Sequence, residues 1–176
     1  FSKLDVDGVA ERLVNFCQRF MPSSKFESRL AEEDIYRNLG LLRILLEAED
    51  QARVDAGAQE LQILELVNLI SASVTIEHIL PQEPSFGVES YGFQNAESYV
   101  EHIHLLGNLV PLEKKINSAC NNLSVEHKMR EEKLYRSSGM YLVKNIASIS
   151  AGKTPAFSKE IMLKRSEELA RFAVRA

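Results

Sequence analysis

The sequence has no tryptophan, and cysteine occurs only twice, as Cys17 and Cys120. With the pair so far apart and no CxxC spacing, a structural zinc site is disfavoured and a disulfide framework has no support. Both cysteines are expected to be small buried side chains in a reducing, cytoplasmic protein. No apolar run approaches the roughly 18 residues needed to span a bilayer. The start, Phe1-Ser2-Lys3, lacks the basic flank and apolar stretch of a signal peptide. It also lacks Met, so the chain reads as a piece of a longer protein. Internal repeats and low-complexity tracts are missing too.

What is present is ordinary for a globular protein: 176 residues, 45% hydrophobic and 26% charged, enough for one domain with a sizeable core or one domain plus a helical extension. The net charge of −4 argues mildly against nucleic acid, but the average conceals an asymmetry. Glu27 to Glu65 holds ten acids and four bases, whereas Leu112 to Asn145 holds seven Lys/Arg and four Glu. A DNA-binding face needs a local positive field, not a basic chain.

Val6, Val9, Leu13, Cys17 and Phe20 recur at helical spacing, and Pro22 follows as a stop. Met21 to Lys25 reads as a short polar link. Asp34 to Ala56, with the apolar block Leu39 to Leu46, reads as a largely buried helix. Gln59 to Ile70 is ambiguous between helix and strand. The β-branched Val74-Thr75-Ile76 suggests a strand. Pro81, Pro84, Gly87 and Gly92 then mark a loop, and Asn95 to His104 fits a helix. Asn108 to Leu112 fits a short strand in which Pro111 suits only an edge. Helices are expected over Glu113 to Asn121, from a Ser124 cap to Arg136, over Met140 to Ala147, and from a Ser158 cap to Ala173. The class is mainly α (α+β): a helical domain with an embedded ββα hairpin.

The hairpin carries the chemistry. A strand ending in Glu77-His78, a second strand at Asn108, and a helix bearing Asn117 bring those side chains around one point. Phosphodiester hydrolysis needs a base to activate water and a cation to stabilise the phosphate and the leaving oxygen. His78 suits the base, because imidazole titrates near neutrality. Glu77 and Asn117 offer oxygen ligands suited to one Mg²⁺ or Mn²⁺ ion. Asn108 is placed to lock the loop through its backbone and so orient His78.

Thr75-Ile76-Glu77-His78-Ile79-Leu80-Pro81-Gln82, with Leu106-Gly107-Asn108-Leu109 and Asn117-Ser118, resembles the ββα-metal, or His-Asn-His, nuclease pattern. In its particular wording it is similar to the C-terminal nuclease domain of GmrSD-type modification-dependent restriction enzymes and SspE-like phage-defence proteins. The likeness extends over roughly Leu39 to Phe172. It implies a DNA endonuclease acting in defence against phage, with His78 as general base, Asn108 as the loop-ordering residue and Asn117 as a metal ligand. It adds Asn121, four residues further on the same helical face, as a further ligand. It also implies a ParB-like nucleotide-binding domain upstream. Glu77 stands where many such nucleases have Asp, and the absence of tryptophan departs from the family's aromatic packing.

The domains expected are a helical extension or linker over 1–38 and a nuclease domain over 39–176, with its ββα core at about 73–122. Lys114, Lys115, Lys128, Arg130 and Lys133 are candidate phosphate contacts, with Lys128 preferred on the resemblance; otherwise they form a solvated face. No helix looks built to read bases, so weak sequence specificity is expected. His102 and His104 lie within reach of the site but read as surface histidines of a helix, and His127 as exposed. Two other readings stay open: a degenerate nuclease fold that grips DNA or a partner, and an all-helical interaction domain whose motif is accidental.

Overall fold

The computed structural model describes residues 6–38, 40–69 and 73–175. Leu39, Ile70 and the start Phe1-Ser2-Lys3, on which expectations above rest, lie outside them. Nine α-helices and two strands follow one another among the described residues: α1 (Val6–Phe20), α2 (Ser23–Glu32), α3 (Leu41–Asp55), α4 (Ile63–Asn68), β1 (Val74–His78), α5 (Ala96–His102), β2 (Leu109–Glu113), α6 (Lys114–Cys120), α7 (Val125–Arg130), α8 (Tyr141–Ser150) and α9 (Lys159–Arg175). The fold is predominantly helical around a small antiparallel hairpin.

The hairpin strands pair from Val74 opposite Glu113 to His78 opposite Leu109. With two strands, both are edges, so Pro111 sits opposite Ile76 without a central neighbour to disappoint. The α6 helix begins immediately after β2 and packs back on β1. This completes the strand–strand–helix unit: α6 starts beside Val74 and lays Asn117 against Thr75 and Ile76 of β1.

The core is built from Leu41, Leu45 and Leu46 of α3, Leu109, Val110 and Leu112 of β2, Ile146 of α8, and Met162 and Ala170 of α9. The α9 helix crosses the Leu106–Asn108 turn so closely that a Cβ on Gly107 would collide with Met162 O and lie 2.7 Å from Ser166 N. Only glycine fits there, because the neighbouring atoms are backbone. Ser166 Oγ accepts the Gly107 N–H at 2.7 Å, and the buried Arg165 donates through Nη1 to Gly107 O (2.7 Å) and Leu109 O (2.8 Å). Burial pushes the Arg165 pKa down to about 10. It remains charged at neutral pH and bridges both sides of Asn108.

Several boundaries differ from expectation. The Met21–Lys25 link is partly helical, since α2 starts at Ser23. The Asp34–Ala56 helix is shortened to α3. Asp34 Oδ1 accepts the Tyr36 N–H and Asn38 Oδ1 accepts the Gly40 N–H, and these side-chain bonds stabilise turns in place of helix. The helix expected up to Arg136 stops at Arg130, where Glu131 turns extended. Leu30, Ala31 and Ile35 belong to the same core as α3 and α9, and α2 packs on α9. The division expected at 38/39 therefore runs through continuous packing. By contrast, the apolar side of α1 stays exposed at Val9, Leu13, Val14 and Phe16.

Candidate active site

The β1 strand delivers His78 to its last position, and the chain then leaves the sheet through Ile79-Leu80-Pro81. Asn108 is fully buried beneath this exit. Its Nδ2 donates to Leu80 O (3.0 Å) and Ile103 O (2.8 Å), its Oδ1 accepts the Leu80 N–H (2.8 Å), and its own carbonyl accepts the Ile79 N–H (2.8 Å). One amide side chain satisfies three buried backbone groups that the irregular loop would otherwise leave unpaired.

The His78 imidazole has neighbours at both ring nitrogens. Nε2 lies 3.0 Å from His104 Nδ1, and Nδ1 lies 3.2 Å from the Gln82 side-chain amide. Tyr36, from the segment between α2 and α3, stacks on His104 at 5.0 Å between ring centroids and meets His78 edge-on at 4.5 Å. Burial, then His104 and Lys128, push the His78 pKa down to about 3. The ring is therefore neutral at physiological pH and, in this arrangement, a weaker base than a free imidazole. His104 departs from expectation. It is not on a helix surface but in the turn after α5, against His78. The Asn108–Ile103 bond explains this, because it draws the residue next to His104 under the loop.

An open cleft of about 400 Å³ borders His78 and is lined by Tyr36, Glu77, Lys114, Asn117 and Asn121 among others. Asn117 spends Nδ2 on Thr75 Oγ1 (2.9 Å) and Ile76 O (3.0 Å) of β1. That leaves Oδ1 as the atom that could face a cation. Asn121 ends α6 with φ +41° and ψ −135°, a strained positive-φ backbone outside the left-handed helical well. The hairpin thus brings His78, Glu77, Asn117 and Asn121 to one cleft.

Lys128 requires a correction. It was the preferred phosphate contact, yet it is completely buried. Its Nζ lies 2.7 Å from Glu77 Oε1 and donates to His78 O (2.8 Å) and Ile79 O (3.1 Å). Tyr135 Oη donates to the same Glu77 oxygen at 3.2 Å. Burial pushes the Glu77 carboxyl up against the opposing pull of Lys128. Of the other basic candidates, Lys114, Lys115, Arg130 and Lys133 are exposed, and Lys114 lines the cleft.

The model of the family described as GmrSD restriction endonucleases, C-terminal domain, matches residues 20–172. The chain belongs to this family. No curated protein and no solved structure is significantly similar to it. As a GmrSD C-terminal domain it carries an HNH-like nuclease centre, and the hairpin and the close His78–His104 pair are consistent with that effector function. The family suggests metal-dependent catalysis. Among the described residues, no group of three or more His, Cys, Asp or Glu is placed to hold an ion. The donors at hand are amide oxygens of Asn117 and Asn121 and a carboxylate already neutralised by Lys128. Such a set fits a hydrated hard cation whose remaining ligands are waters and substrate phosphate, and does not fit a tightly held transition metal.

No role was expected for the α9 clamp, Tyr36 or Tyr135, nor for Gln82, which stands in the Thr75–Gln82 motif. Tyr36 and Tyr135 lie 42 positions before and 57 after His78, and no local pattern marks them.

Proposed function

We propose that this domain hydrolyses phosphodiester bonds of DNA, with His78 as the general base and one Mg²⁺ or Mn²⁺ ion held near Asn117 and Asn121. The observation that carries this reading is the His78 imidazole bordering the same cleft as Asn117, above a loop stapled by Asn108. A DNA phosphate in the cleft would meet Lys114 at its rim, with Lys115, Arg130 and Lys133 available to the flanking backbone. Water beside His78 gives up its proton to Nδ1 as it attacks phosphorus, once the Gln82 amide has swung off that nitrogen, while Nε2–H stays on His104, which holds the ring in a fixed orientation. When bound, the cation stabilises negative charge on the phosphate and on the departing oxygen.

Within this reading the whole protein is a restriction or anti-phage enzyme of the cytoplasm whose upstream part includes a ParB-like nucleotide-binding domain. One observation favours a second reading, a binding module without cleavage: both His78 ring nitrogens already have partners, and Lys128 neutralises Glu77.

Nicking of supercoiled plasmid separates the two. The nuclease reading expects relaxation that requires Mg²⁺ or Mn²⁺ and is lost in His78→Ala and in Asn117→Ala. DNA binding without relaxation under any of these cations supports the binding module. Equal relaxation by all three proteins would remove His78 and Asn117 from the mechanism.

A further inference from the structure

Behind His78 lies a buried cation that the nuclease motif does not explain. The three hydrogens of Lys128 Nζ have three acceptors, Glu77 Oε1, His78 O and Ile79 O, and no donor is left for a phosphate. An ammonium at zero exposure is tolerated only when neutralised and fully bonded, and Glu77 supplies the charge. Glu77 Oε1 is in turn shared between Lys128 and Tyr135 Oη. Lys128 holds the carbonyls of His78 and Ile79, while Asn108 holds the Ile79 N–H and both backbone groups of Leu80. Five consecutive polar backbone atoms, from His78 O to Leu80 O, are thereby fixed from two sides.

We propose that Lys128 is a positioning residue that, paired with Glu77, fixes the backbone aiming His78, and that Glu77 is the counter-ion of this ammonium and not a ligand of the catalytic cation. What His78 then does rests on the nuclease reading; the positioning itself does not. The division of labour is physical. A carboxylate that must neutralise a buried lysine has little charge left for a second cation, which falls to Asn117, Asn121 and the DNA phosphate. Glu77 Oε1, at the edge of the cleft, is already engaged by Lys128 Nζ and Tyr135 Oη.

The test compares wild type with Lys128→Met, Glu77→Gln and the charge-balanced Glu77→Gln/Lys128→Met double variant. Four quantities are read: the urea midpoint, affinity for a short DNA duplex across salt, Mn²⁺ affinity by electron paramagnetic resonance, and single-turnover nicking. Each single change is expected to lower the midpoint, and the double variant to lower it by less than their sum, because each single change strands a buried charge. In the double variant, Mn²⁺ affinity should match that of wild type. DNA affinity and its salt slope should also be unchanged, while nicking at saturating DNA falls about tenfold or more with KM unaltered.

A salt slope reduced by about one would make Lys128 a phosphate contact after all. Loss of Mn²⁺ affinity in a folded double variant that Lys128→Met, which keeps the carboxylate, does not show would make Glu77 a ligand. Additive midpoints would dissolve the pair. If the single variants do not fold, the double variant and Tyr135→Phe carry the comparison. If wild type fails to nick DNA, the nuclease reading fails alone, and the His78 ¹⁵N imidazole signals decide the positioning: they should shift in the double variant, and unshifted signals would overturn the role.

Discussion

Asn108 holds both backbone polar groups of Leu80 with one side chain, donating to the carbonyl at 3.0 Å and accepting from the N–H at 2.8 Å. The bond to Ile103 O uses its remaining hydrogen. Asn108→Ala would strand three buried backbone groups, each costing about 1–3 kcal/mol. Urea unfolding of this variant is expected to show a loss of about 3 kcal/mol or more. A loss below about 1 kcal/mol would mean that water replaces the amide and the loop is held by other means.

The neutral His78 links stability to pH. In the unfolded chain the ring protonates near its ordinary value of 6.5, and in the fold only near pH 3. Between these values the unfolded state binds the additional proton, so stability falls as pH drops below about 6.5 towards 3. The slope from this one group approaches about 1.4 kcal/mol per pH unit. Urea midpoints from pH 7 to pH 4.5 should fall more steeply for wild type than for His78→Gln. Parallel curves would show that the ring is accessible to protons in the folded protein.

His104 is expected to matter through its Nδ1 and not through its bulk. His104→Phe preserves a ring to stack on Tyr36 but removes the partner 3.0 Å from His78 Nε2. Thermal unfolding should be little changed, while single-turnover nicking falls about tenfold to a hundredfold, the usual effect of losing an orienting partner. Undiminished nicking would leave Gln82 as sufficient orientation for the ring.

Gly107 offers a test of the α9 clamp. Gly107→Ala forces a methyl group against Met162 O and Ser166 N, both backbone, so α9 must move away from the turn that carries Asn108. A destabilisation above about 3 kcal/mol is expected by calorimetry or urea, in the range of severe core overpacking. Near-neutral behaviour would show that α9 is free to slide.

The placement of the site residues was legible where it follows local pattern. Glu77-His78, Asn108 and Asn117 stand at spacings that a two-stranded hairpin and the next helix must bring together, and β1, β2 and α6 formed within a residue or two of expectation. What escaped were partners fixed by tertiary packing. Lys128 has the composition of a solvated helix face, flanked by His127 and Arg130, and only the position of α7 against the back of the hairpin turns it inward. Tyr36 falls on a turn made by Asp34 and Asn38, where a continuous helix was expected from the apolar run that follows. His104 needed the Asn108–Ile103 bond before its position beside His78 could be seen.

The central claim is that the His78 imidazole activates water in a cation-dependent cleft. Chemical rescue addresses it most directly: single-turnover nicking of supercoiled plasmid by His78→Gly, with Mg²⁺ or Mn²⁺, in the presence and absence of free imidazole. The account expects negligible nicking without imidazole, a concentration-dependent return of nicking with it, and no return when the cation is chelated or when Asn117→Ala is added. Nicking by His78→Gly that is undiminished, or that imidazole restores equally well without the divalent cation, would contradict it.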